Sequence, residues 1–234
     1  MTRTIDIPTY QTAVVRNCSP TLAGIKPASL FTYPGVYANQ NGKPGAAHIE
    51  GRRSRLLAVI AQCNRELQPL GIHMSVLVWR PCGALIYVYR PADLMRYLSD
   101  PRATTALAAE GYDVHNLPAS LVHLAARITL ASSNAAESAY DGSVCALARN
   151  RHCDTGCMCE FPHEIGYFLG YPYEDVHQFI VQHGENYKVF GAWKVYTNVE
   201  QALTTFDSYR TCMQYLTYIY QQGCTLGQLV QATR

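Results

Sequence analysis

Two runs of strand chemistry at residues 74–79 and 84–89 are separated only by Arg80-Pro81-Cys82-Gly83, and no helix fits between them. Both runs are short and rich in β-branched or aromatic residues, and the connection carries turn chemistry, so a hairpin is the reading. Consecutive strands without a crossover helix argue against a doubly wound parallel sheet. The remaining order is strand, helix, hairpin, helices, strand, helix. The expected fold class is therefore α+β: a small, mostly antiparallel or mixed sheet of about four strands, covered by helices and ending in a long C-terminal helix.

Residues 1–17 are weakly patterned. Ser19 reads as an N-cap with Pro20 at the first helical position, giving a helix over 20–26 that Pro27 stops. Residues 29–33 read as a short strand and 34–50, with Gly35, Asn39, Gly42, Pro44 and Gly45, as a loop. Leu56, Val59, Ile60, Cys63 and Leu67 recur at helical spacing. Pro91 opens a helix over 92–98, and further helices are expected near 101–110, 117–131, 162–169, 173–183 and 198–221. Residues 187–196 read as one strand. Residues 132–160 are dense in Ser, Asn, Asp, Gly and Cys, which predicts a flexible cysteine-rich loop inside a single domain spanning 1–234.

Charged residues make up 15% of the 234 and the net charge is +2, so electrostatics point to neither a nucleic-acid nor a membrane partner. No apolar run is long enough to span a bilayer. Residues 1–8 lack the apolar core of a secretory signal. Nine cysteines in such a chain predict a cytoplasmic setting with free, metal-bound or reactive thiols.

Three groups of residues could carry chemistry. Cys18 precedes the Ser19 cap, where the positive end of a helix would stabilise a thiolate, and His163, fixed by Pro162, is the candidate base. Glu164, a third of a turn away, is expected to cap its own helix. The competing reading makes Cys18 a small buried residue and His163 a local cap. The second group is Cys145, His152, Cys153, Cys157 and Cys159, whose Cys-x3-Cys-x-Cys spacing matches neither zinc ribbons nor ferredoxins but could still bind zinc or iron. The third is the strand at 187–196. Alternation puts Lys188, Phe190, Ala192, Lys194 and Tyr196 on one face and Val189, Trp193 and Val195 on the other. Lys194 with Tyr196, or Lys26, could hold an anionic group; the alternative is ordinary exposed lysines. No glycine-rich phosphate loop follows a strand, so no nucleotide cofactor is indicated.

Three blocks carry a resemblance. They are Cys18-Ser19-Pro20-Thr21-Leu22-Ala23-Gly24-Ile25-Lys26, then Phe161-Pro162-His163-Glu164-Ile165-Gly166 with Phe168-Leu169-Gly170-Tyr171-Pro172 and Glu174-Asp175-Val176, and finally Gly191 with Trp193-Lys194-Val195-Tyr196. Together with Val88-Tyr89-Arg90-Pro91, they make the chain similar to the bacterial family known as domain of unknown function 3793. The resemblance implies kinship and a cytosolic bacterial setting, and brings no activity with it. Cys18, Lys26, His163, Glu164, Trp193 and Lys194 fall inside the blocks, whereas the Cys145 to Cys159 loop falls outside them.

Two functional expectations result. One is a thiol-dependent enzyme acting on a small anionic substrate, with Cys18 as nucleophile or redox thiol, His163 as base and Lys26, Trp193, Lys194 and Tyr196 binding the substrate. The other is a metal-, haem- or iron-ligand-binding protein using Cys153, Cys157, Cys159 and His152.

Overall fold

The computed structural model describes residues 5–39, 45–138 and 161–233. Its centre is a three-stranded antiparallel sheet of β1 (Ala28–Tyr33), β2 (His73–Arg80) and β3 (Gly83–Tyr89), in the order β1-β3-β2. The hairpin expected at 74–89 is β2 and β3, paired from His73 with Tyr89 to Arg80 with Gly83, with a bulge between Val76 and Val78. β1 pairs along the far side of β3, Ala28 opposite Tyr89 and Tyr33 opposite Ala84. From Gly83 to Val88 every residue of β3 is buried, because the strand is covered on both faces.

Alternation divides the core. Ile86 and Val88 join Phe31, Tyr33 and Met74 beneath α1 (Ile7–Leu22), α2 (Ala46–Leu67), α8 (Val199–Gln221) and α9 (Leu226–Gln231). Leu85 and Tyr87 face the other way, against α3 (Pro91–Leu98), α4 (Pro101–Ala109), α5 (Leu117–Ser138), α6 (Ile165–Phe168) and α7 (Tyr173–Val181). The sheet is thus the middle of three layers, and the chain is α+β as expected. A second hairpin, β4 (Val189–Phe190) with β5 (Lys194–Val195), packs with Ala202 and Phe206 of α8 as a third, small cluster.

Four local expectations are corrected. Residues 7–22 form one helix rather than a weakly patterned lead and a helix from 20: the Asp6 carboxylate accepts from the Thr9 amide at 2.8 Å and Pro8 sits in the first turn. Ser19-Pro20 lies in the last turn, and the Ser19 hydroxyl donates back to the Val15 carbonyl at 2.5 Å. The loop expected over 34–50 yields to α2 at Ala46, and α5 runs on to Ser138, past the expected break at 132. The expected strand at 187–196 is a hairpin of two-residue strands. Gly191 makes its turn against Phe206, whose ring lies 2.2 Å from where a Cβ would stand. Finally, α6 is a single turn, so His163 and Glu164 precede the helix rather than lie within it.

Candidate functional site

Lys26 sits in the turn between α1 and β1, held by the contacts that close the end of α1. Arg90, just after β3, donates from Nε to the Thr21 carbonyl and from Nη2 to the Leu22 carbonyl, both at 2.6 Å, and the Thr21 and Ser29 hydroxyls are bonded at 2.8 Å. Those contacts satisfy helix carbonyls that would otherwise lack donors. The Lys26 side chain then runs inward. It is only 9% exposed, and its Nζ lies 4.9 Å from the Tyr171 ring centre and 5.9 Å from that of Tyr209. No carboxylate or carbonyl among the described residues is bonded to it. Burial dominates its ionisation and lowers its pKa to about 8, opposed by the nearby Cys18.

Tyr171 is brought there by a close approach. Gly170 has φ +70°, and a Cβ on it would lie 2.2 Å from Pro27 Cγ, so the chain after α6 rests directly on the residue after Lys26. The Tyr97 hydroxyl donates to the Tyr171 carbonyl, and the Tyr87 hydroxyl to the Phe168 carbonyl at 2.5 Å. On its other side Tyr171 meets Trp193, with ring centres 5.2 Å apart, and Trp193 meets Phe206 edge-on at 4.6 Å. Burial raises the phenol pKa of both Tyr171 and Tyr209, the latter to about 12, so both are neutral donors at physiological pH.

Asp175 of α7 fixes the hairpin to this wall. Its buried carboxylate accepts from Trp193 Nε1 at 2.7 Å, the Tyr196 amide at 2.8 Å, and the Thr197 amide and hydroxyl at 3.0 Å. Four donors on one carboxylate leave it no lone pair for catalysis, so it is an anchor.

The sequence-derived candidates are distributed as follows. Lys26 and Trp193 meet through Tyr171. Cys18 lies inside α1, fully buried, rather than at a helix start. Burial pushes its thiol pKa up, and the pull of Lys26 is smaller. Lys194 points away from Trp193: its Nζ donates to the Gly184 carbonyl at 2.7 Å and lies 4.6 Å from the Tyr187 ring and 5.6 Å from that of Phe179. Tyr196 is buried with a hydroxyl that has no hydrogen-bond partner, its pKa raised first by burial and then by Glu185.

His163 reaches solvent, but its ring packs against Phe179 at 5.0 Å and Phe161 at 6.4 Å, and burial among these rings lowers its pKa. No contact links it to Cys18. Glu164, expected to cap its own helix, makes no side-chain cap bond. It accepts from the Tyr112 hydroxyl at 2.7 Å and pairs with Arg127 Nε at 3.0 Å, which ties α6 to α5. Cys145, His152, Cys153, Cys157 and Cys159 lie outside the described residues. Among the described ones, no three His, Cys, Asp or Glu side chains are arranged to hold a metal ion.

Lys26 belongs to the first of the blocks read in the sequence, Tyr171 and Asp175 to the second, and Trp193 and Tyr196 to the third. Residues 14–230 match the family described as "Protein of unknown function (DUF3793)", which is nearly the whole chain. The chain belongs to the DUF3793 family. No curated protein and no solved structure matches it. The three blocks of this DUF3793 chain, dispersed over the sequence, meet in space around Tyr171. Sequence reasoning passed over Tyr171 and Asp175, although both lie in the second block. It could not have found Tyr209, which has no signal beyond its place on α8.

Proposed function

We propose that this DUF3793 protein binds a small organic monoanion, a carboxylate, on Lys26 beneath the rings of Tyr171, Tyr209 and Trp193. The observation that carries the reading is the Lys26 ammonium, nine-tenths buried and without an acceptor among the described residues. A buried amine in such a place is unfavourable until an anion or a proton loss relieves it, and perturbed groups of this kind cluster at functional sites. One cation matches one negative charge, the tyrosine hydroxyls add neutral donors, and the ring faces suit an apolar body.

The enzymatic form of this reading makes Cys18 the thiol. Its charge partner is then Lys26 rather than His163, because Lys26 is the group whose field acts on Cys18. The thiol is neutral in the resting fold, so ligand entry must open its surroundings before a thiolate forms.

The test is a thermal-shift screen of small carboxylates against the intact protein and Lys26→Met. A carboxylate that raises Tm in the wild type and not in Lys26→Met supports the reading. Equal shifts in both, or none with any carboxylate, remove it. Cys18→Ala then separates binding from chemistry: it should bind the same carboxylate as well as the wild type does.

A further inference from the structure

A cleft of about 380 Å³ opens between α1 and the outer edge of β1, across the sheet's edge from β3. Arg16, Thr9 and Thr12 line it from the helix, and Phe31, Thr32 and Tyr33 from the strand; no acidic residue lines it. Arg16 is exposed and makes no ion pair among the described residues. Arg80, at the end of β2, is only 8% exposed, donates from Nη2 to the Thr32 hydroxyl oxygen at 2.6 Å, and has a buried Nε with no hydrogen-bond partner.

A hydroxyl that accepts from a guanidinium turns its own proton outward, so Thr32 presents a polarised donor to the cleft. Thr12 already donates to the Pro8 carbonyl at 2.8 Å, which leaves its oxygen as an acceptor for a ligand hydroxyl. β1 pairs with β3 alone, so backbone groups on its outer edge also face this side. The wall therefore offers one guanidinium directly, a second relayed through Thr32, a set of hydroxyls, and the apolar flanks of Phe31 and Tyr33.

We propose that this cleft is a second binding site, separate from Lys26, for a small phosphate monoester: its dianion would lie between Arg16 and the Thr32 hydroxyl, with Arg80 supporting Thr32 from behind. Two guanidiniums with no carboxylate counter-charge suit a dianion, as the lone Lys26 ammonium suits a monoanion. The volume admits a metabolite-sized molecule rather than a polymer, and a net charge of +2 gives no stripe for tracking a nucleic-acid backbone.

The experiment is an amide NMR titration of the intact protein with inorganic phosphate and then with glycerol phosphate, repeated on Arg16→Gln, Thr32→Val and Lys26→Met. Arg16 is exposed, so its variant retains the fold. The expected result is saturable shifts at Thr9, Thr12, Arg16 and Thr32. Affinity should drop at least about tenfold in Arg16→Gln and in Thr32→Val and stay unchanged in Lys26→Met. Unchanged affinity in Arg16→Gln, shifts confined to the surroundings of Lys26, or tighter binding of a single-stranded oligonucleotide than of glycerol phosphate would overturn the proposal. Because Lys26→Met is scored separately, failure of this site and failure of the Lys26 site give different patterns.

Discussion

At Lys26 the fold keeps a charge where water cannot solvate it, and that has a measurable consequence for stability. Its pKa falls from 10.5 in the unfolded chain to about 8 in the fold, a difference of about 3 kcal/mol. The sign follows from proton counting. Below about pH 8 both states are protonated and the folded state carries the whole penalty; between there and 10.5 the unfolded chain binds more protons, so stability rises with pH. Lys26→Met should therefore be more stable than the wild type at pH 7, by up to about 3 kcal/mol, with the gap narrowing by about 1 kcal/mol at pH 9. Urea melts at the two pH values check this, and a variant less stable at pH 7 would show that the ammonium is solvated or paired. Cys18 behaves oppositely. Burial holds its thiol protonated, so it contributes stability that is lost as pH rises above the ordinary thiol range.

Among the elements, the β4–β5 hairpin is the one held by polar contacts more than by packing, since its own cluster contains only Trp193, Val195 and Ala202 as fully buried members. Asp175→Ala would strand Trp193 Nε1 and the Tyr196 and Thr197 amides, each orphan costing about 1–3 kcal/mol. The expected loss is about 3 kcal/mol or more, with a red-shifted Trp193 emission in Asp175→Ala. A loss under about 1 kcal/mol would mean that water replaces the carboxylate.

The β2–β3 hairpin was legible in the sequence because period-two apolar runs and a Pro-Cys-Gly connection agree with each other. α1 was misread because Ser19-Pro20 is a start signal in isolation; the competing signal, Asp6 with Pro8, lies in a stretch of low hydrophobicity. The 187–196 segment alternates like one strand, and only its packing against Phe206 reveals that Gly191 breaks it. For the site, Lys26 and Trp193 were legible as residues of chemical interest. Their meeting through Tyr171 was not, because it depends on the Gly170 to Pro27 approach, which is tertiary.

Across the whole molecule the two large clusters share β3, Ile86 facing one and Leu85 the other. Neither layer can lose its packing without exposing the back of the same strand, so the chain should unfold in one transition. Ile86→Ala and Leu85→Ala should each lower that single transition by about 2–5 kcal/mol. Two separated transitions, each sensitive to one variant, would show independently folding layers. None of the described helices is long and apolar enough to cross a membrane. The same layering brings the α1 turn, the α6–α7 loop and the hairpin to one place, so the Lys26 site depends on both layers being folded.

The chain has four lysines, Lys26, Lys43, Lys188 and Lys194. A carbon-13 NMR titration of their ε-carbons reads the Lys26 ammonium directly, with and without the carboxylate found in the thermal screen. The account predicts that Lys26 titrates near pH 8 in the free protein and moves up when the carboxylate binds, because the anion favours the charged form. A Lys26 that titrates with an ordinary pKa of about 10.4, or does not respond to the anion, would contradict it.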